Sequence, residues 1–471
     1  MQVTTLLRDS RALAALAVPL VLTQLAQVAL TTTDTVMMGM LGTADLAAGG
    51  LAIVIFNQLR TMGVGLVTSV GNQVAAAAAR AEDAARRPGS GGGDGGEEVR
   101  RIVRAALAVA TLSGLLGAAL MLLVGQVLGR LGQDADVVGR AQTMLLALAP
   151  GLLPCLWFQV VRQFTVGMRR PQALLRITIA SVAVNAGLNW ALIHGAWGMP
   201  ELGLPGVGVA TTLVYFLSFL ALYASAKRDG VLGPLLSPNI AKADRATVRR
   251  LAGLGIPIAA TYGSEAGFFS VTALMAGSFG SAALAAHTAV NQLVYIVFQV
   301  AVGLSHAASI NVSRELALGR TDTALRIKNT ALACAGVVMA VVATAYATLP
   351  RLVLSPFFDT GSPRDAEAVS IATHLLLVVM VLQFFDCAQN IGVGLLRGLD
   401  DTRSGFRITL VGYWAVGLPA AWLLGYAAGL HTLGIWLGLL TGLATTAVLL
   451  LRRYGASLRA RTGTPRAVPA A

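Results

Sequence analysis

The stretch Leu16–Ala48, LAVPLVLTQLAQVALTTTDTVMMGMLGTADLAA, has a second copy 238 positions later at Leu254–Ala286, LGIPIAATYGSEAGFFSVTALMAGSFGSAALAA. The two stretches align without a gap, and their prolines and glycines coincide: Pro19 with Pro257, Gly39 with Gly277, and Gly42 with Gly280. The shift is about half of the 471 residues. We therefore expect the chain to be an internal duplication, with this element used once in each half.

The composition is that of a membrane protein. Hydrophobic residues make up 56% and charged residues 12% of the chain, whereas soluble domains carry about 25% charged residues. The mean hydropathy is +0.71. The first apolar run is too long for the core of a signal peptide, so we expect a retained helix there. The three cysteines, Cys155, Cys334 and Cys387, show neither metal-ligand nor disulfide spacing and are interpreted as small apolar fillers.

Apolar runs of helical length predict twelve transmembrane helices, six in each half. The first six lie near 11–39, 45–79, 101–129, 138–168, 172–194 and 204–226. The second six lie near 250–278, 282–314, 326–354, 367–397, 403–428 and 431–451.

The basic residues predict the orientation of these helices. When the N-terminus is placed inside, 29 of the 35 Lys and Arg fall in the inner segments, and the outer connections hold only Arg130, Arg140, Arg351 and Arg364. By the positive-inside rule, both termini are expected in the cytoplasm. The net charge of +13 is thus a topology signal spread over seven segments, and it does not predict a nucleic-acid partner.

An even number of helices in each half predicts parallel repeats related by a pseudo-two-fold axis along the membrane normal. The fold class is therefore an all-α polytopic membrane protein with two six-helix lobes. The expected bounds are 1–226 for the N-lobe, 227–248 for a cytoplasmic linker, 249–454 for the C-lobe and 455–471 for a cytoplasmic tail. The run RRPGSGGGDGGEE after the second helix lacks a preceding strand and a following Gly-Lys-Ser/Thr, so we interpret it as a flexible loop and not a phosphate loop.

Three of the 22 acidic residues lie inside apolar segments: Asp34, Glu265 and Asp386. A charge within a membrane helix costs about 2.5–3.5 kcal/mol on insertion scales, so each is a functional-site hypothesis. A carboxylate there can exchange a proton, or can hold Na⁺ if oxygen ligands surround it. For Asp34, a helix cap near the outer end is the alternative.

Amide side chains accompany these acids. Asn185 and Asn189 are four residues apart and share one helix face, so their carbonyl oxygens could join Asp34 around a cation. Hydrogen bonding between helices is an equally good interpretation. Asp386 has Gln383, Gln389 and Asn390 close in sequence. Arg60, in the middle of the second helix, has no assigned role.

Several motifs, in this order, resemble the multidrug and toxic compound extrusion (MATE) transporters of the NorM-like branch over nearly the whole chain. They are VPLVLTQLAQ with TDTVMMGMLGTADLAA, FQVVRQFTVGMRRPQ, VNAGLNWALIHG with GLPGVGVATTL, GIPIAATYGSEAGFF with AAHTAVNQL, AVGLSHAASINVSRELALGR, and LQFFDCAQNIGVGLLRGLDDTR. The departures from the family pattern are Arg60 and the long Gly-rich loop at 88–96.

The resemblance implies two lobes around a central cavity and export driven by inward flow of Na⁺ or H⁺. It assigns Asp34, Asn185, Asn189 and Thr211 to a cation or proton site in the N-lobe, and Glu265 with Asp386 to a second site in the C-lobe. No resident cofactor is expected, because Na⁺ or H⁺ serves only as coupling ion.

The predicted function is a cation-coupled multidrug antiporter of the bacterial inner membrane that exports lipophilic, often cationic, compounds by alternating access. It is expected to act as a monomer surrounded by lipid. Tyr262, Phe268, Tyr295 and Gln383 are candidate substrate-cavity residues, since aromatic faces attract flat cations; ordinary packing is the alternative for the aromatic residues.

Three other protein classes are alternatives to this prediction. A lipid-linked-sugar flippase of the same superfamily would favour a basic cavity, against which the three acids argue. A major-facilitator transporter also has six plus six helices, but its Asp- and Arg-rich loop after the second helix is missing. A membrane enzyme would need a catalytic motif such as HExxH or GxSxG, and the sequence contains none.

Overall fold

The computed structural model describes residues 3–86, 94–131, 135–359 and 361–462. This part of the chain is helical, with no strand. Most of the predicted Gly-rich loop and the end of the predicted tail lie outside the described residues.

The first half contains six long helices. They are α1 (Val3–Leu41), α2 (Thr43–Thr68, continued after Ser69 by Val70–Ala85), α3 (Asp94–Val127), α4 (Ala135–Leu148 and Leu152–Gly167), α5 (Gln172–His194) and α6 (Leu204–Arg228).

The second half repeats this order. Its helices are α7 (Arg245–Gly277), α8 (Ser281–Ala317), α9 (Thr321–Thr348), α10 (Ala366–Gly398), α11 (Thr402–Leu410 with its continuation to Ala427) and α12 (His431–Thr462).

Prolines explain two interruptions within the helices. In α4, Pro150 stands in a 3₁₀ turn, Ala149–Gly151, because it has no N–H to continue the α-helical ladder. In α11, the wider π-helical segments Val411–Gly417 and Leu423–Ala427 flank Leu418–Trp422, which contains Pro419. Proline has no N–H to donate to the helical hydrogen-bond ladder, and the wider π-helical turns accommodate this interruption.

Eleven of the described helices are long and apolar enough to cross a membrane. The exception is α7, which is 33 residues long but carries the polar run Thr261–Glu265 in its middle. A span chosen by hydropathy alone therefore misses the helix that contains one of the three predicted intramembrane acids.

The backbone repeats as the sequence does. Gly42 lies between α1 and α2 with φ of 120°, and Gly280 lies between α7 and α8 with φ of 108°. Residues other than glycine rarely adopt a positive φ. Both copies therefore place a glycine at the turn between two helices. Each is followed at once by a long helix, α2 or α8.

Contacts divide the chain into two compact units. We call Leu22–Gly263 the N-unit, and Met1–Val21 together with Ser264–Ala471 the C-unit. The divisions fall inside α1 and α7, not in the linker at 227–248. The lobe bounds expected from the sequence thus differ from this contact-based division and stay a prediction.

Each unit has its own apolar core. In the N-unit, Met38, Phe56, Met144 and Leu148 are among the buried members of one cluster. In the C-unit, Phe268, Tyr413, Trp436 and Leu439 belong to a second. Polar groups inside either unit are consequently shielded from water and need partners of their own.

Candidate functional site

The N-unit gathers four predicted residues around one carboxylate. Asp34 of α1 is only 4% exposed. Its Oδ1 accepts hydrogen bonds from the side-chain amides of Asn185 at 2.7 Å and Asn189 at 2.8 Å. Its Oδ2 accepts one from the hydroxyl of Thr211 at 3.1 Å. The side chains therefore lie together as the resemblance implied, although a role in ion coupling stays a prediction.

Close packing of α5 and α6 makes this arrangement possible. Asn185 and Asn189 are one turn apart on α5, so both amides reach the same oxygen. Gly206 near the start of α6 lies against α5, because a Cβ there would stand 2.9 Å from the backbone oxygen of Leu192. Glycine at this position lets α6 approach closely enough for Thr211 to reach Asp34.

The two asparagines also leave unused oxygens. The Oδ1 atoms of Asn185 and Asn189 are buried without a hydrogen-bond partner among the described residues. Buried acceptors of this kind are rare in native proteins and call for a donor or a cation. The amides present Nδ2 and not Oδ1 to the carboxylate of Asp34, so Na⁺ binding at these residues stays a prediction. The described residues contain no cluster of three or more His, Cys, Asp or Glu, as transition metals favour.

The C-unit holds the second predicted pair. Glu265 of α7 is half-buried, and its Oε1 lies 3.2 Å from the hydroxyl of Tyr413. The same hydroxyl also contacts Oε1 of Gln389. A phenol has one proton, so it can donate to only one of these two acceptors at a time. The other contact becomes a hydrogen bond when Glu265 itself carries a proton and donates it.

Asp386 of α10 lies within electrostatic range of Glu265 and is 5% exposed. Its Oδ1 accepts one hydrogen bond from Asn390 Nδ2 at 3.2 Å, and the same amide donates to its backbone oxygen at 2.9 Å. Two acids without a basic partner among the described residues thus lie within electrostatic range of each other inside the C-unit. One shared positive charge would relieve the repulsion between them.

The four predicted cavity residues have different surroundings, and their role in a substrate cavity stays a prediction. Phe268 is fully buried and stacks on Tyr413 with ring centroids 4.9 Å apart, so the packing alternative describes it. Gln383 is 2% exposed and donates to the hydroxyl of Tyr346 at 3.2 Å. Tyr295 is 45% exposed and faces Phe298. The half-buried Tyr262 belongs to the N-unit and the other three to the C-unit.

Sequence reasoning missed Tyr413 as a partner of Glu265. It lies in the π-helical segment Val411–Gly417, and such segments occur often at functional sites. The one available signal was Pro419, six residues later, because a proline within a membrane helix predicts a local change of helical geometry.

Comparison with known families identifies the chain. The family model described as MatE matches residues 91–191 and 257–423, which is more than half of the chain. The chain belongs to the MATE family. It is a multi-pass membrane protein and a transporter, in agreement with the class expected from the sequence.

Relatives support this membership over almost the full length. The chain is 36% identical over 450 residues to a probable multidrug resistance protein NorM of Pseudomonas aeruginosa, covering 93% of this chain and 88% of the relative. It is 38% identical over 443 residues to a protein of the same description from Bradyrhizobium diazoefficiens, covering 93% and 91%.

A solved MATE structure, in complex with MaL6, superimposes with a TM-score of 0.85 at 17% identity, covering 98% of this chain and all of that one. This likeness concerns the fold alone. The expected fold class, an all-α membrane protein of twelve helices in two lobes, is confirmed.

Proposed function

We propose that this MATE protein is a cation-coupled multidrug antiporter that exports lipophilic, often cationic, compounds in exchange for Na⁺ or H⁺. The observation that carries this proposal is the absence of a basic partner, among the described residues, for its three intramembrane acids. None of them forms an ion pair with a described Lys, Arg or His, and their contacts come from neutral groups. The relatives described as multidrug resistance proteins support small-molecule drugs as the cargo.

Neutral partners suit a reversible cation site. A carboxylate paired with arginine would already be neutralised, and a proton or Na⁺ could not compete well for it. Asp34, with three neutral donors, keeps its charge available. Glu265 and Asp386 repel each other unless a cation or proton is present. Each unit therefore offers a place where one positive charge is taken up and released.

Coupling follows from competition for these charges. When the sites open outward, a proton or Na⁺ binds the carboxylates and displaces a cationic compound. After access changes to the inside, the ion leaves and a new compound binds. Because each ligand weakens binding of the other, the two flows are linked.

The orientation follows from the charge distribution. Both termini lie in the cytoplasm under this proposal, since the inner segments hold most of the basic residues. The bacterial relatives support a place in the inner membrane. The relatives described as multidrug resistance proteins favour drug export over the flippase alternative.

The test is ethidium efflux from proteoliposomes under separate Na⁺ and pH gradients. We expect the wild type to export the dye, and Asp34→Asn, Glu265→Gln and Asp386→Asn to lose at least about tenfold in rate, since each removes a charge that the coupling ion needs. Asp45→Asn is the matched control: this acid lies at the start of α2 and pairs with Arg140 at 2.9 Å, so its charge is already compensated. Normal efflux from the three coupling variants would refute the proposal.

A further inference from the structure

A cavity between the ends of three helices is not used by the coupling scheme. It has a volume of about 480 Å³ and lies among the second part of α2, the first turns of α3 and the first turns of α7, all within the N-unit. Small and apolar side chains form part of its wall: Ala81 of α2, Ile102 of α3 and Leu251 of α7. Under the proposed orientation, these helix ends face the cytoplasm.

The lining of this cavity contains more positive than negative charge. Each helix contributes one arginine: Arg80 from α2, Arg101 from α3 and Arg250 from α7. The acid in the lining is Glu98, and it pairs with Arg80 at 2.6 Å. Arg250 has interactions of its own within the protein. The state of Arg101 therefore decides whether the cavity can attract a negatively charged ligand.

Arg101 differs from its neighbours on α3. Arg100 and Arg104 each donate from Nε to the linker 227–248, at 2.8 and 3.0 Å, and each also pairs with Glu97. These contacts hold the two side chains on one side of the helix. Arg101 is exposed and forms no hydrogen bond or ion pair with any residue that the structure describes. Its guanidinium thus keeps its hydrogen-bond donors available at the cavity.

The acid within electrostatic range of Arg101 already has other partners. Asp244, just before α7, accepts hydrogen bonds from the backbone N–H and the hydroxyl of Thr247, at 3.1 and 2.8 Å. It serves as a cap for the first turn of α7 and does not form an ion pair with the arginine. Because water alone solvates the guanidinium of Arg101, an anion can replace this water without breaking a contact inside the protein.

We propose that this cavity binds an anionic phosphate group, with Arg101 as its anchor and Arg80 and Arg250 beside it. The group is carried by an anionic phospholipid or by a soluble phosphate compound. A guanidinium binds phosphate oxygens through two parallel, charge-assisted hydrogen bonds. Basic pockets between transmembrane helices on the cytoplasmic side suit phospholipid headgroups, and the volume is in the range of small-molecule sites. A bound phosphate would tie the ends of α2, α3 and α7 together.

The test is thermal melting of the purified full-length protein in a nonionic detergent. One comparison adds phosphatidylglycerol or phosphatidylcholine at equal mole fraction, because the second lipid has the same phosphate diester with a compensating cation. The other adds inorganic phosphate or chloride at equal ionic strength. Since a ligand stabilises the state that binds it, we expect a higher melting temperature with the anionic phosphate in at least one comparison. Arg101→Gln should lose most of this rise, because the anchoring pair is lost.

Two further variants separate a built site from general attraction. Arg249→Gln is the matched control, since this arginine is also exposed and adjoins Arg250 on α7 but does not line the cavity. It should keep the rise. Ala81→Leu leaves all three arginines in place and puts a larger side chain into the cavity. This variant should also lose the rise, because the added atoms occupy the space of the ligand.

The outcomes identify the carrier or refute the site. A rise with phosphatidylglycerol alone assigns the site to lipid, a rise with inorganic phosphate alone assigns it to a soluble compound, and a rise in both assigns it to the phosphate group itself. No rise in the wild type would overturn the proposal. Equal losses in Arg101→Gln and Arg249→Gln, or an undiminished rise in Ala81→Leu, would do so as well. Melting needs no transport, so these results do not depend on the proposed export function, which dye efflux tests separately.

Discussion

Gly65 of α2 lies directly against the backbone of Ala259 in α7, where a Cβ at position 65 would stand 2.7 Å from the Ala259 Cα. The same crossing occurs 238 residues later within the C-unit. A Cβ on Gly303 of α8 would stand 2.9 Å from the backbone nitrogen of Val21 in α1. The duplication seen in the sequence thus extends to a matching close helix contact in each unit.

We expect Gly65→Ala and Gly303→Ala to destabilise the protein, each by about 1–3 kcal/mol, because the added methyl group meets backbone that cannot move aside easily. Gly336→Ala in α9 is the control, since nothing lies within 4 Å of a Cβ there. Alanine is the better helix former, so the control should be neutral or slightly stabilising. Thermal unfolding in detergent measures the difference. Equal melting temperatures for all three variants would contradict the close contacts.

Asn185 and Asn189 donate to the same oxygen of Asp34, so each can partly replace the other. We expect Asn185→Ala and Asn189→Ala each to reduce dye efflux a few-fold, and the double variant to lose far more than the product of the single effects. Efflux rates from proteoliposomes provide the double-mutant cycle. Independent effects of the two changes would show that the amides do not act on one carboxylate. Asn239→Ala, in the exposed linker, should have no effect.

Tyr413→Phe separates the hydrogen bonds of this side chain from its packing. The ring stays stacked on Phe268, but Glu265 and Gln389 lose their common partner. Leaving buried Gln389 without a donor costs about 1–3 kcal/mol, which is tolerable for folding. We expect the variant to fold and the pH profile of efflux to shift, because the surroundings of Glu265 have changed. An unchanged profile would mean that this tyrosine serves packing alone. Tyr413→Leu, which also removes the stacking, should lower the melting temperature further.

Asp229, just after α6, predicts a pH-dependent contribution to stability. The backbone N–H groups of Leu232 and Val231, at 3.0 and 2.8 Å, and the guanidinium of Arg170 hold the pKa of this carboxyl below its usual range. A depressed folded-state pKa stabilises the fold fully above the unfolded pKa of about 3.9, and the effect is lost as the pH falls through the folded value.

Asp229→Asn should accordingly lower the melting temperature at pH 7 by about 2–4 °C. The difference from the wild type should shrink as the pH falls below the unfolded pKa. Melting curves in detergent at pH 7 and pH 3 measure it, with Glu201→Gln as an exposed control. A difference that persists unchanged at low pH would show that the carboxylate charge is not responsible.

The amino-acid sequence by itself determined the class of this protein. Apolar runs define the helices, and Pro19, Gly42 and their counterparts 238 residues later define the repeat, because hydropathy and backbone preference act over short stretches of chain. It also singled out Asp34, Glu265 and Asp386, since a charge among apolar residues is conspicuous without any knowledge of its neighbours.

Only the tertiary structure decided which helix faces meet. The contact of Gln24 with Arg162 joins residues 138 positions apart, and that of Tyr413 with Glu265 joins residues 148 apart. Phe268 is a further example. From the sequence it could line a cavity or pack in the core, and the structure shows it buried and stacked on Tyr413. Such pairings depend on helix rotation and crossing distance, which are set by side-chain packing across the whole unit and leave no local mark in the sequence.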